Sequence, residues 1–234
     1  MKKGAAASAA HVQQTFPNFP SSLIPASLEA PMFPFDVILF DVGGVLLTNG
    51  WDRRERAAAV AQFSLDAASF EAHHLSVVDA WERGEITADA YLSTAVFYEP
   101  RSFSRDEFFS FILSQSQLLP DGALGILKEL AASKACMVGA LNNEARETND
   151  YRFQQFGLRE YFKVSLSSCY VGLRKPEPAI YKRALDILGV APERILFIDD
   201  RPENVAGAAN EGMKTIVFVG ESALRSELAG LGVL

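Results

Sequence analysis

Apolar residues along this chain fall into two kinds of pattern, and the first is a short unbroken run. Val37-Ile-Leu-Phe40 shows no polar alternation, consists of strand formers and is too short for an independent helix. A strand of that kind is buried on both faces, the habit of a central parallel strand beneath helices. From Trp51 onward the spacing turns helical, and it predicts helices over 51–63, 65–74, 75–83, 87–97 and 104–115. Gly84 stops one of them, Thr87 is placed to start the next, and Ser104-Arg-Asp-Glu107 reads as a capping box.

No strand interrupts that stretch, and Pro120-Asp-Gly122 marks a turn at its end. Beyond the turn the two patterns alternate: helix 121–133, strand 136–141, helix 144–156, strand 163–168, helix 178–188, strand 194–199, helix 203–211, strand 215–219, helix 222–229. Alternation of this kind means βαβ units and a parallel sheet with helices on both faces. The expected class is α/β: a Rossmann-like, doubly wound parallel sheet of about five strands. That core is divided between residues 32–47 and 120–234, with a small helical cap inserted at 48–119.

The polar residues that follow the strands carry the chemistry. Asp41 ends the first strand, and Gly43 and Gly44 behind it let backbone approach a ligand closely. Taken alone, Asp41 reads equally well as the cap of an ordinary turn. Asn142 and Asn143 follow the second strand, Arg174 and Lys175 lie in the loop after the third, and Asp199 and Asp200 close the fourth. In a parallel sheet these ends share one edge. Carboxylates converging with a lysine suit a hard divalent cation beside an anionic group.

Composition narrows the field. The chain has 234 residues and a net charge of −7, which argues against nucleic acid or an anionic membrane surface as a partner. No apolar run approaches the roughly 20 residues of a membrane helix. The cysteines, Cys136 and Cys169, form no disulfide framework, and a reducing cytoplasm fits best. Residues 1–31 are rich in Ala, Ser and Pro and read as a flexible extension; Gly4 to Ala10 lacks the Leu/Ile/Val run of a secretory leader. Met32, just ahead of the first strand, is an alternative start. Nothing in the sequence sets an oligomeric state.

Four stretches in order resemble the haloacid dehalogenase superfamily of hydrolases. Asp41-Val-Gly-Gly-Val is similar to its first motif, Leu141-Asn-Asn143 stands where its second would be, Gly172-Leu-Arg-Lys-Pro-Glu-Pro178 is similar to its third, and Ile198-Asp-Asp-Arg-Pro-Glu-Asn-Val205 to its acidic fourth. The helical insertion after the first motif, the wording of Trp81-Glu-Arg-Gly-Glu-Ile86 and the Gly-Gly of the first motif resemble a bacterial sugar-phosphatase-like branch. The resemblance implies Mg²⁺-dependent hydrolysis of a small phosphorylated metabolite, a phosphomonoester, through an aspartyl phosphate on Asp41. It implies a metal held by Asp41, the Gly43 carbonyl and Asp200, with Asp199 as a further ligand or a supporting partner and Asn204 orienting metal waters. Lys175 would add positive charge between Asp41 and the phosphate, and Asn142 and Asn143 would bind the phosphoryl group.

Two departures from the family pattern leave other readings open. Gly43 stands where most of its phosphatases carry a second aspartate as general acid, whose proton transfer is worth ~10²–10⁴ in rate. Its loss slows poor leaving groups most and acyl or sugar-1-phosphates least. Asn142 stands where Ser or Thr is usual, although its amide can still donate. A catalytically weak phosphate-binding or regulatory protein on the same fold is the alternative. A metal-independent dehalogenase is the third reading, opposed by the Asp199-Asp200 pair. Arg174 reads as an ion-pair partner, Cys136 as a core residue, and three histidines make a zinc site improbable. Trp51, just past the first motif, is the aromatic best placed to face the substrate, and cap side chains would set specificity.

Overall fold

The structure is a computed structural model and describes residues 33–234. The expected extension over 1–31 and the alternative start at Met32 lie outside the described residues. Five strands form one sheet: β1 (Val37–Phe40), β2 (Met137–Ala140), β3 (Val164–Ser165), β4 (Ile195–Asp199) and β5 (Lys214–Val217). The order is β3-β2-β1-β4-β5 and every pairing is parallel. The apolar run of β1 is therefore central, and all four of its residues are fully buried. Its side chains alternate as the pleat requires. Val37 and Leu39 enter one core with Ile180, Tyr181 and Phe197, whereas Ile38 and Phe40 enter another with Ile126, Leu127 and Leu130.

Helices α1 (Arg53–Gln62), α2 (Ala67–Glu82), α3 (Ala88–Ala95) and α4 (Arg105–Ser114) come between β1 and the rest of the sheet. They enclose a third core around Phe70, Trp81, Tyr91 and Phe108. Asp52 with Glu55 and Ser104 with Glu107 form capping boxes at α1 and α4. Such a cap contributes about 1 kcal/mol, since it satisfies donors that the helix leaves open. The chain leaves and rejoins the core side by side: Thr48 N donates to Gln117 O at 2.9 Å, and Leu47 bridges antiparallel to Leu118.

The second half contributes α5 (Leu124–Ser133), α6 (Arg146–Gln155), α7 (Ser168–Val171), α8 (Pro178–Leu188), α9 (Pro202–Asn210) and α10 (Glu221–Gly230). Proline in the first turn and a left-handed glycine, Gly189, bound α8.

Two expected elements differ. The helices expected over 65–74 and 75–83 are one continuous helix, α2, capped by Asp66; no glycine or proline separates the halves. The strand expected over 163–168 is only β3, because this edge strand pairs with Gly139 and Ala140 alone. The serines behind it spend their hydroxyls elsewhere. Ser167 bonds Asn142 and Asn149, and Ser168 bonds Glu82 O and the amide of Glu144, which diverts the chain into α7.

Candidate active site

Asp41 leaves the end of β1 and stays buried, with Val42 N donating to its Oδ1 at 2.8 Å. Carboxylate oxygens of Asp41, Asp199 and Asp200 come within 4.8 Å of one another. Lys175 Nζ lies 3.0 Å from Asp41 Oδ1 and 2.5 Å from Asp199 Oδ2. The strand order explains the meeting: β1 and β4 are neighbours, so their C-terminal ends carry Asp41 and Asp199 side by side.

Charge is unevenly spread in this cluster. Burial pushes Asp41 up to about 7, Lys175 works against that rise, and Asp199 adds to it. Burial opposes the charge on Lys175, yet Asp41 and Asp199 outweigh it and raise its pKa. Burial also raises Asp200, helped by Asp199.

The neighbouring aspartates differ in what they touch. Asp199 is fully buried and accepts from Lys175, from the Asn204 amide at 3.0 and 3.1 Å, and from Arg201 N at 2.8 Å. Asp200 Oδ1 is buried and has no hydrogen-bond partner among the described residues. Gly44 has φ +74°, and a Cβ there would collide with the Asp200 carboxylate. An orphaned carboxylate oxygen, three clustered acids and one ammonium make a donor set short of positive charge, and hard oxygen donors of this kind suit Mg²⁺.

The asparagines divide their work. Asn142 donates to Asn149 Oδ1 at 3.1 Å and accepts from Ser167 Oγ at 2.8 Å, so its side chain faces a buried network and does not line the cavity. Asn143 does line it, and its amide clasps the backbone of Lys175: Nδ2 donates to Lys175 O at 2.8 Å and Oδ1 accepts from Lys175 N at 2.9 Å. Asn143 therefore sets where the lysine stands.

A cavity of about 240 Å³ opens over Asp41 and Lys175, with Gly43 in its wall. The helical insert contributes Trp51, Arg56 and His74 to that wall. Trp51 Nε1 donates to Tyr91 Oη at 2.8 Å, so the indole is anchored in the insert while its ring borders the cavity. Tyr91 Oη lies 2.8 Å from His74 Nδ1. Arg174 pairs with Asp79 at 2.5 Å and lies 2.7 Å from Glu82 Oε2, the latter out of line for a hydrogen bond. Burial pushes Glu82 up to about 7 against the pull of Arg174.

The model for haloacid dehalogenase-like hydrolases matches residues 35–212. The chain belongs to this family. Among relatives of this haloacid dehalogenase-like hydrolase, flavin mononucleotide hydrolase 1 of Arabidopsis thaliana is 31% identical over 70% of this chain and 65% of its own length. Bifunctional epoxide hydrolase 2 of Sus scrofa is 27% identical over 76% of this chain but only 35% of its own, so the chain spans about two thirds or less of these relatives. Phosphatase MT3486 of Mycobacterium tuberculosis is 28% identical over 76% of this chain and 84% of its own. In fold, the family enzyme bt-2542 of Bacteroides thetaiotaomicron superposes with a TM-score of 0.64 at 23% identity, over 78% of this chain and 92% of that one. A complex of the same enzyme with magnesium and inorganic phosphate superposes at 0.62.

Sequence reading did not single out Arg152, Glu144, Arg201 or Arg56, all of which line the cavity of this hydrolase. Arg152 gives no signal in the sequence, since only the fold shows that this charge inside α6 is buried.

Proposed function

We propose that this chain hydrolyses a small phosphomonoester with Mg²⁺ through an aspartyl phosphate on Asp41, under a helical cap formed by the insert. The buried Asp200 Oδ1, without a partner among the described residues and close to Asp41, supports this reading most directly. Relatives named as a phosphatase and a flavin mononucleotide hydrolase point the same way. Asp41 and Asp200 would hold the ion with the Gly43 carbonyl. Asp199 is spent on Lys175 and Asn204 and would act as a partner to the lysine rather than a ligand. An ion bound there supplies charge neutralisation for the phosphoryl oxygens.

The residues of the chain do the rest. A carboxylate that titrates near 7 is a nucleophile only when its charge is compensated, and Lys175 at 3.0 Å supplies part of that compensation. Asn143 holds the lysine by its backbone, so the ammonium meets the phosphate without reorganising. Asn142 would support the site through Asn149 and Ser167 instead of touching the phosphate.

The test is a panel of phosphomonoesters assayed with and without Mg²⁺ for the wild type and Asp41→Asn, with mass spectrometry of acid-quenched protein. Expected is Mg²⁺-dependent release of phosphate, a phosphoryl group on Asp41, and at least a thousandfold loss in the mutant. Phosphate binding without turnover would make the chain a binding protein, and halide release without metal would make it a dehalogenase.

A further inference from the structure

A side chain at position 43 would be crowded by Asn49, with Arg152 at ordinary contact distance beyond it. A Cβ at Gly43 would meet Asn49 Oδ1 at 3.1 Å and Arg152 Nη1 at 3.7 Å. Arg152 comes from α6, is 2% exposed, and lines the cavity together with Gly43 and Asn49. Its guanidinium is held firmly: Nη1 donates to Glu144, and Nη2 donates to Thr48 O at 2.5 Å. Two bonds do not exhaust a group with five N–H donors. Nε is buried and has no partner among the described residues. Glu144 already balances the charge of Arg152, so what the guanidinium has to spare is N–H donors, which suit an oxygen of a bound ligand.

Resting on the phosphatase reading, we infer that Arg152 faces the leaving group and stabilises the departing oxygen as an anion, which restricts the site to phosphates whose leaving oxygen is a weak base. Acyl, enol and aryl phosphates are the chemical class. An arginine is protonated throughout the range of activity and gives up no proton, so it cannot act as the general acid that Gly43 lacks. It can lower the energy of charge that develops as the ester bond breaks. In the first step Asp41 Oδ bonds to phosphorus, and the electron pair of the P–O ester bond stays on the leaving oxygen, which departs as an oxyanion beside Arg152. In the second, water adds to phosphorus and the P–O bond to Asp41 breaks, restoring the carboxylate. The proton released by that water balances the one taken up by the oxyanion, giving the carboxylic acid, enol or phenol together with hydrogen phosphate.

The experiment compares kcat/KM for 4-nitrophenyl phosphate, phenyl phosphate and glycerol phosphate in excess Mg²⁺. The proteins are the wild type, Arg152→Gln and the double variant Gly43→Asp/Asn49→Gly. The wild type is expected to lose at least a thousandfold from the first ester to the last. Arg152→Gln is expected to lose at least tenfold more on phenyl than on 4-nitrophenyl phosphate, a split that a purely structural role would not produce. Replacing Asn49 makes room for an acid at 43, so the double variant should raise glycerol phosphate turnover about a hundredfold relative to 4-nitrophenyl phosphate. An equal loss on all esters in a folded Arg152→Gln, or a wild type indifferent to the leaving group, overturns the inference. Should Arg152→Gln fail to fold, an unchanged ester preference in the double variant overturns it instead. With 4-nitrophenyl phosphate turned over and Asp41 phosphorylated, those failures leave the phosphatase reading intact. Absence of Mg²⁺-dependent turnover on every ester ends both.

Discussion

His74 is buried in the helical insert with its Nδ1 committed to Tyr91 Oη. Trp51 Nε1 can only donate to Tyr91 Oη, so the tyrosine proton is directed to His74 Nδ1, which must accept. That network assigns the ring proton to Nε2 and needs the ring neutral. Burial, with Arg56 adding to it, pushes His74 down to about 4; Glu71 and Asp52 pull weakly the other way. A depressed histidine contributes stability that is complete above its unfolded pKa and lost as pH falls towards the folded one, because the unfolded chain takes up the proton first. The wild type should therefore lose about 2 kcal/mol more than His74→Asn between pH 7 and pH 5. Denaturant titrations at both pH values measure the difference, and parallel losses would show that the ring charges freely in the fold.

At the scale of elements, the C-terminal end of α2 is the junction between the insert and the loop that carries Lys175. Glu82 O accepts from Ser168 Oγ at 2.7 Å, Arg83 pairs with Glu177, and Arg174 reaches back to Asp79. The turn that ends α2 allows this only because Gly84 has φ +71° and no side chain; a Cβ would run into the carbonyl oxygen of Cys169. Gly84→Ala should thus cost about 2 kcal/mol or more. Its loss of activity should exceed what the lower melting temperature explains, since α7 and the lysine loop shift with it. A melting temperature equal to that of the wild type would remove this element from the argument. The same junction shows where sequence stops being readable. Each motif tip is a short local signal, so Asp41, Lys175 and the Asp199-Asp200 pair could be picked out and expected on one edge. The side-chain direction of Asn142 depends on Ser167 and Asn149, which reach it only after folding. Arg152 was hidden for a similar reason: its partners Glu144 and Thr48 lie 8 and 104 positions away. The break expected within α2 arose from spacing that one long helix satisfies as well as two short ones.

The molecule as a whole places a parallel sheet and its helices on one side of the site and a group of four helices on the other, whose core also takes in Ala145 from the start of α6. Besides the contacts at the end of α2, the two are joined where the chain crosses twice. There Thr48 N donates to Gln117 O, Gln117 N donates to Thr48 Oγ1 at 3.0 Å, and Leu119 N donates to Leu46 O at 3.2 Å. Opposed residues of an antiparallel pair have Cα atoms about 5 Å apart. Deleting residues 49–116 and closing Thr48 to Gln117 with a short glycine turn should therefore leave a sheet that still unfolds in one cooperative transition by calorimetry. Loss of that transition would mean that the two crossings are not enough to seal the scaffold. If the insert does act as a cap, its side-by-side entry and exit and its attachment at the end of α2 are the seams along which it would be exchanged, leaving the acids and the lysine in place.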